Sequence, residues 1–242
     1  MSEGSEQGWA GTDGILPSLA AAAHELKSPL VLTRQLGFML QRDDLSSGER
    51  DVLANQLILT AERGLRLTND LTKAARLNDA LFDLEPINPI AICEDIVREL
   101  TPLFAAHERT LSLKSRKHPL LLVAHRDLLR RIVMNFSDNA LYYSEVGSAV
   151  ELQISALKNG RFIRLGVRDY GPALSRDMWR TLQAKLGKVP QPLHARPQSS
   201  GLGLYIAGLF AETMHGRIGA VRHRDGATFY VELDASRQLS FL

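Results

Sequence analysis

Ala23-His24-Glu25-Leu26-Lys27-Ser28-Pro29-Leu30 places a histidine beside a carboxylate, with a proline five residues further on, inside an apolar pattern of helical spacing. Histidine can act as a nucleophile near neutral pH, and a neighbouring carboxylate can orient or accept its ring proton. His24 and Glu25 are therefore a candidate reactive pair. The same residues are also compatible with an exposed pair on an ordinary helix, because short motifs often match by chance.

The residues around this stretch predict two long helices. Apolar and small residues recur every three or four positions from Ile15 to Leu40, and again from Val52 to Leu77. A polar break at residues 43–48 separates the two runs, which predicts an antiparallel helical hairpin. A lone hairpin cannot cover its apolar face, so we expect a second copy to complete a dimeric four-helix bundle.

The character of the chain changes after Leu77. Residues 78–89 hold two prolines and several acids, which is typical of a domain junction. Helices are then predicted at 90–106, 126–143, 175–186 and 203–215, and strands at 111–113, 120–124, 150–157, 161–168, 217–222 and 228–233. Helices alternating with antiparallel strands predict an α+β sandwich whose sheet is covered on one face. The domain limits expected are a flexible lead-in at 1–14, the hairpin at 15–78, a linker at 79–89, a second domain at 90–235 and a tail at 236–242.

Composition narrows the class of protein. The 242 residues carry a formal net charge of +2, which argues against a dedicated nucleic-acid binder. Arg161, Arg164 and Arg168 alternate with apolar residues along a predicted strand, which indicates a solvated face. The single cysteine, Cys93, excludes disulfides and cysteine-based zinc sites within one chain. The sequence has neither an apolar run of about 18 residues nor a secretory signal, so we expect a soluble cytoplasmic protein or a soluble part of a larger one.

Three short polar segments of the second half have binding chemistry. Asn135 and Asn139 lie one helical turn apart, and their amide oxygens suit a magnesium ion that keeps water and phosphate oxygens. Asp169, at a strand end, can accept a hydrogen bond from a base amine, and Gly171 lets backbone approach a ligand. The segment Gly201–Leu204 opens a helix whose N-terminal amides favour phosphate. Each pattern alone is also common in unrelated proteins.

In their order and separation, these segments and the histidine stretch resemble the kinase core of bacterial sensor histidine kinases. In that family a dimerising helical hairpin precedes an ATP-binding domain of the GHKL type, which gyrase, Hsp90 and MutL share. His24–Leu30 is similar to the phosphoacceptor box, Asn135–Tyr143 to the asparagine box, Asp169–Ala173 to the first glycine box and Gly201–Leu204 to the second. The resemblance covers about residues 15 to 235.

The resemblance implies a role for each matched position. His24 would attack the γ-phosphate of ATP, Glu25 would be its acid–base partner, and Ser28 takes the place of the residue that assists phosphatase action. Asn139 would hold Mg²⁺ with help from Asn135, while Asp169 would bind adenine and Tyr143 would stack near it. The ATP-binding positions implied are Asn135, Asn139, Tyr143, Asp169, Gly171, Gly201, Leu202, Gly203 and Leu204. The loop at 187–200 would be the ATP lid.

Several positions depart from the family pattern. Tyr142 stands where a Lys or Arg often faces phosphate, and Ala173 and Ser199 each stand in place of a glycine. The lid lacks the usual phenylalanine motif, whose space Met178-Trp179 is a candidate to fill. Ser28 replaces a Thr or Asn but keeps a hydroxyl. Each loss of a charged or close contact is expected to weaken ATP binding or phosphatase action.

The leading hypothesis is an ATP-dependent protein histidine kinase that phosphorylates His24 and passes the phosphoryl group to an aspartate of a response-regulator receiver domain. The alternative is a degenerate kinase acting as a phosphotransfer or scaffold protein; a GHKL mechanical clamp would leave the histidine box unexplained. About fourteen residues precede the hairpin, so we expect the signal to come from a separate sensor protein or a missing sensor region. The expected protein is cytoplasmic, or the cytoplasmic portion of a larger membrane kinase.

Overall fold

A computed structural model describes residues 15–75, 82–115, 120–188 and 202–237. The chain divides into two compact units, of which one contains residues 15–73 and the other residues 82–188 and 203–237. The predicted lead-in at 1–14, most of the predicted lid and Gly201 lie outside the described residues, as do residues 238–242 of the tail. The limits of the hairpin and the linker stay predictions.

The first unit is formed by α1 (Ile15–Leu40) and α2 (Ser47–Ala75). The second helix begins at a capping box, in which the Glu49 amide donates to Ser46 Oγ (3.3 Å) and the Ser46 amide donates to Glu49 Oε2 (3.0 Å). Arg50 donates to the Leu40 carbonyl across the turn, at 3.3 Å. Further along, a Cβ placed on Gly64 would meet Pro29 Cβ at 3.7 Å. These two contacts show that the helices run antiparallel.

The second unit contains four helices and seven strands. The helices are α3 (Pro89–Ala106), α4 (Arg126–Tyr143), α5 (Arg176–Lys185) and α6 (Leu202–Thr213). The strands are β1 (Glu85–Ile87), β2 (Thr110–Ser115), β3 (Leu122–Ala124), β4 (Ala149–Leu157), β5 (Phe162–Arg168), β6 (Arg217–His223) and β7 (Gly226–Asp234). Five strands form a sheet in the order β2-β4-β5-β7-β6, and β1 pairs with β3 in a second sheet of two strands.

The core lies between the helices and one face of the five-stranded sheet. The apolar residues Ile163, Leu165 and Val167 of β5 lie on this face and are buried. Burial alternates along the first half of the strand, and Gly166 and Arg168 of the other face are buried as well. On α4, Phe136 packs against Phe229 of β7, with ring centroids 6.2 Å apart. The other face of the sheet carries polar and charged side chains. The predicted α+β sandwich with a sheet covered on one face is therefore confirmed.

Two features of the sheets were not predicted. First, β2 pairs parallel with β4, so the sheet is mixed; the chain between them passes through β3 and α4, and such a crossover permits parallel pairing. Second, β1 forms within the stretch assigned to the linker, where Glu85 pairs with Ala124. It was missed because it has three residues and includes Pro86, which only an edge strand tolerates. The end of the assigned linker also serves α3, since Asn88 Oδ1 accepts from the Ile90 amide at 3.0 Å.

The expectation of a solvated arginine face is wrong for Arg168. Its side chain is 7% exposed and pairs with Asp225. Arg164, on the same face of β5, is partly buried against Glu232.

Within the described residues, no helix is both long enough and apolar enough to cross a lipid bilayer.

Candidate functional site

The histidine stretch lies inside α1. His24 and Glu25 occupy positions in the continuous helix, and Ser28 follows His24 by one turn, so the two positions share a face. Ser28 and Pro29 are half-buried. Pro29 faces Gly64 of α2, where an added Cβ would make an ordinary contact with the proline ring at 3.7 Å.

The two asparagines lie on α4, as predicted, but their surroundings differ. Asn135 is buried, and its Nδ2 donates to the Gly203 carbonyl at 3.3 Å, which connects α4 to the first turn of α6. Asn139 is half-buried, and its Nδ2 is enclosed without a hydrogen-bond partner among the described residues. An enclosed amide without a partner costs about 1–3 kcal/mol, so a ligand that satisfied it would gain that amount.

Asp169 follows β5 directly and is held from the neighbouring strand. The Ala227 amide donates to Asp169 Oδ1 at 3.0 Å, and the Asp169 amide donates to the Ala227 carbonyl at 3.0 Å. Burial raises the pKa of the Asp169 carboxyl to about 6, although the Ala227 amide and the Arg168 charge act in the opposite direction. Within the described parts of the chain Oδ2 receives no donor, so it is an acceptor available to a ligand.

Gly171 is required by the packing of the protein itself. A Cβ at this position would overlap the Tyr143 carbonyl oxygen and lie 3.1 Å from its carbonyl carbon. The Gly171 amide also donates to the Asp225 carbonyl at 3.1 Å. This close approach brings the C-terminal end of α4, with the half-buried Tyr143, next to the segment that carries Asp169.

Gly203 is in the opposite situation. A Cβ there would meet Asn135 Cγ at 3.8 Å, which is an ordinary contact. Nothing among the described residues therefore demands a glycine at this helix start, and the ligand contact predicted for Gly203 stays a prediction. Leu202 and Leu204 lie in the same turn and are buried.

The structure thus brings four predicted site residues together in two contacting pairs, and it joins a fifth to β7. Asn135 of α4 contacts Gly203 of α6, Gly171 contacts Tyr143, and Asp169 is joined to β7. Tyr142, at the position where a basic residue was expected, is 38% exposed. Trp179 of α5 is buried and Met178 is half-buried; whether they replace the phenylalanine motif stays a prediction.

Sequence reasoning missed the residues that hold Asp169. Arg168 donates to the Asp169 carbonyl and pairs with Asp225, and its guanidinium lies 4.2 Å from the centroid of the Tyr170 ring. A signal was available in the Asp225-Gly226 pair, which marks the turn between two strands. The register in which Arg168 pairs with Thr228 then brings that turn to the end of β5.

Within the described residues, no group of three or more His, Cys, Asp or Glu side chains is placed to hold a metal ion. The predicted magnesium site does not depend on such a group. Its proposed protein ligands are amide oxygens, and Mg²⁺ commonly takes most of its remaining ligands from water and phosphate.

Comparison with known proteins links both the sequence and the fold to one class. Residues 124–237 match the family model described as histidine kinase-, DNA gyrase B-, and HSP90-like ATPase. The chain is 28% identical over 226 residues to the sensor histidine kinase GacS of Pseudomonas protegens, covering 89% of this chain and 24% of GacS. It is 27% identical over 217 residues to the histidine protein kinase SaeS of Staphylococcus aureus, covering 87% of this chain and 61% of SaeS. The chain therefore spans only part of these relatives.

Solved structures show the same fold. The Acinetobacter baumannii histidine kinase AdeS matches with a TM-score of 0.63 at 17% identity, covering 88% of this chain and 98% of that one. Full-length ShkA in complex with AMPPNP matches with a TM-score of 0.61 at 23% identity, covering 90% of this chain and 46% of that one. Histidine kinase ThkA in complex with the response regulator protein TrrA matches with a TM-score of 0.63 at 14% identity, covering 90% and 61%.

Proposed function

We infer, from the premise that residues 124–237 belong to the histidine kinase-, DNA gyrase B- and HSP90-like ATPase family, that this chain is an ATP-dependent protein histidine kinase. The resemblance to sensor histidine kinases is confirmed by relatives of that name and by histidine kinase structures. The activity of this chain is our proposal, and the observation that carries it is the state of Asp169. A buried carboxylate with one oxygen fixed and the other available is suited to accept the adenine amine.

The triphosphate end of the site is proposed to lie between α4 and α6. Asn139 would supply its amide oxygen to Mg²⁺, assisted by Asn135, and its partnerless Nδ2 would donate to a phosphate oxygen of the nucleotide. The ion, when bound, would neutralise charge on the phosphate oxygens. The first turn of α6 would direct its backbone amides at the phosphates, with Gly201 and Gly203 permitting close approach. Leu202 and Leu204 would anchor that turn through their buried side chains.

The proposed reaction is phosphoryl transfer to a ring nitrogen of His24. That nitrogen forms a bond to the γ-phosphorus, the bond from this phosphorus to the bridging oxygen breaks, and ADP leaves. Glu25 orients the imidazole and takes its ring proton. The same phosphoryl group then passes to an aspartate carboxylate of a receiver domain. Ser28, one turn after His24, is proposed to orient the water that hydrolyses the aspartyl phosphate of the receiver domain, which restores the carboxylate and releases inorganic phosphate.

The hairpin supports a homodimer. Apolar side chains are widely exposed along it, including Leu30 (66%), Phe38 (63%) and Leu65 (66%). Soluble monomers rarely leave so much apolar surface together, so we propose that a second copy covers it in a four-helix bundle. The structure of ThkA with its response regulator supports a receiver domain as the further partner. We place the reaction in the cytoplasm because it consumes ATP.

Incubation with γ-labelled ATP and Mg²⁺ tests the proposal. The parent protein should gain label in the acid-labile, base-stable bond of a phosphohistidine, and His24→Ala should gain none while still binding ATP. His107→Ala is the matched control, because it removes an exposed histidine from the second unit.

If the parent protein is folded and binds nucleotide but gains no label, the proposal that this chain is a histidine kinase is contradicted. The degenerate-kinase alternative is motivated by Tyr142, Ala173 and Ser199. It predicts that a fluorescent ATP analogue does not bind saturably, whereas the kinase predicts saturable binding that Asn139→Ala removes.

A further inference from the structure

Arg168 joins two loops at the base-binding end of the proposed site. It is the last residue of β5, directly before Asp169, and its side chain is 7% exposed. A buried arginine is expensive unless its donors are satisfied, and here Nη1 and Nη2 both have acceptors. The guanidinium donates to the Asp169 carbonyl and pairs with the Asp225 carboxylate. It also has longer contacts, at 3.5 Å, to the carbonyls of Asp225 and Ala227.

The flat face of the same guanidinium lies over the Tyr170 ring, 4.2 Å from its centroid. Arginine alone combines this stacking with a planar set of five donors. Arg168 is therefore enclosed between Tyr170, which follows Asp169, and the β6–β7 turn that carries Asp225. The contacts fix the position of the turn relative to the end of β5.

The start of β7, directly after this turn, holds the Asp169 carboxylate. Gly226 has a φ of +129°, and a Cβ there would lie 2.5 Å from Asp169 Oδ1 and 2.8 Å from Arg168 Nη1. The next residue, Ala227, donates its amide to Asp169 Oδ1 at 3.0 Å. A displacement of the turn would move this amide and would release the carboxylate, so the direction of Oδ2 depends on the contacts of Arg168.

We propose that Arg168 is a positioning residue for base selection, which acts by holding Asp169 Oδ2 in the direction of the exocyclic amine of adenine. The proposal rests on the proposed function, because it requires that the site bind ATP. A hydrogen bond discriminates between bases only when its acceptor is preorganised, since a mobile carboxylate can turn to solvent or accept from other groups. Arg168 therefore governs the preference for adenine more than nucleotide affinity in general.

The chain offers a matched control four residues earlier on the same strand. Arg164 also lies over an aromatic ring, 3.9 Å from the centroid of Tyr230, and it also pairs with a buried carboxylate, that of Glu232. No contact of Arg164 reaches Asp169 or Ala227 within the described residues. Comparison of variants at the two positions therefore separates two effects. One is the effect of losing any stacked, ion-paired arginine, and the other is the effect of losing the arginine that holds Asp169.

The experiment measures the dissociation constants of Mg–ATP and Mg–ITP for the parent, Arg168→Lys and Arg164→Lys. Inosine carries a carbonyl where adenine carries its amine, so the ratio of the two constants reports on the Asp169 hydrogen bond. Arg168→Lys keeps the charge but loses the planar stack, and we expect the preference for ATP to fall on the order of tenfold. Arg164→Lys should keep the parent ratio.

An equal loss of affinity for both nucleotides in Arg168→Lys, or an unchanged ratio, would overturn the proposal. If Arg168→Lys does not fold, Asp225→Asn tests the same link, because it removes the ion pair and leaves the arginine. An unchanged ratio of the two dissociation constants in Asp225→Asn would also overturn the proposal. A parent that becomes labelled on His24 while the ratio stays constant in the variants overturns this inference alone. A parent that binds neither nucleotide overturns the proposed function with it.

Discussion

The two ends of the proposed nucleotide site are built differently. At the base end, Asp169, Gly171 and Arg168 are each fixed by contacts within the chain. At the phosphate end, Asn139 has an enclosed amide without a partner among the described residues, and Gly203 has room that no neighbour uses. The base end is thus preorganised before any ligand arrives, whereas the phosphate end has an amide donor that no described residue satisfies.

This difference gives each end a distinct response to substitution. Changes at the base end should alter the stability of the free protein, because the residues there support one another. Changes at the phosphate end should leave stability unchanged or raise it, and should weaken ATP binding, because the groups there serve a ligand. Functional residues held at the expense of stability are common in binding sites.

The largest effect is expected from Gly171→Ala. The added methyl group would overlap the Tyr143 carbonyl oxygen, so either α4 or the Asp169 segment must move. Forced overpacking of this kind destabilises by about 3 kcal/mol. Urea unfolding, followed by tryptophan fluorescence from the buried Trp179, measures the loss. Wild-type stability in Gly171→Ala would contradict the view that this glycine serves internal packing.

Asp169→Asn should stabilise the free protein at alkaline pH and remove ATP binding. Because the folded pKa is raised to about 6, the contribution of Asp169 to stability is full below about pH 4 and is lost as the pH rises through 6. A shift of about two units corresponds to about 3 kcal/mol at most, and asparagine avoids the charge while it still accepts from Ala227. Its amide nitrogen would face the adenine amine, donor against donor.

Unfolding free energies of Asp169→Asn and the parent, compared at about pH 5 and about pH 8, check this prediction. The stabilisation should be larger at the higher pH. A difference that grew instead towards acid would show that the carboxyl pKa is lowered rather than raised in the fold.

Asn139→Ala should separate stability from binding at the other end. It removes a half-buried amide whose Nδ2 has no partner and introduces the best helix former, so the free protein should gain about 1 kcal/mol. Mg–ATP affinity should fall at least on the order of tenfold, because an ion ligand is lost. Titration with a fluorescent ATP analogue measures the affinity. Gln183→Ala removes an exposed amide from α5 and should change neither quantity.

The sequence was sufficient to predict the helices and most strands of the second unit, and also the face of α4 that carries the two asparagines. The apolar period predicted α4 with the bounds that the structure has, and a spacing of four residues is enough to place Asn135 and Asn139 on one face. The fold of the second unit followed from the alternation of helix and strand patterns. These properties depend on neighbours along the chain, which is why local patterns predict them.

The role of Gly171 and the burial of Arg168 could not be predicted in the same way. Both depend on contacts between segments that are more than 25 residues apart, such as Gly171 with Tyr143 and Arg168 with Asp225. The alternation along β5 correctly put Arg168 on the polar face of the sheet. It could not show that the β6–β7 turn and Tyr170 cover that end of the face.

The smallest effect on stability, and the sharpest test of the comparison, is expected from Gly203→Ala. Its Cβ would make an ordinary contact at 3.8 Å, and alanine favours a helix over glycine by about 0.5–1 kcal/mol. Gly48 is the matched control, because it holds the second position of α2 as Gly203 holds that of α6, and nothing lies within 4 Å of its Cβ position. Both variants should therefore be slightly more stable than the parent in urea. Only Gly203→Ala should bind Mg–ATP more weakly, since its methyl group would stand where the helix amides meet phosphate. Unchanged affinity in Gly203→Ala would show that the phosphates do not bind at the start of α6. Asn139 would then be the one described residue that still supports a ligand at that end.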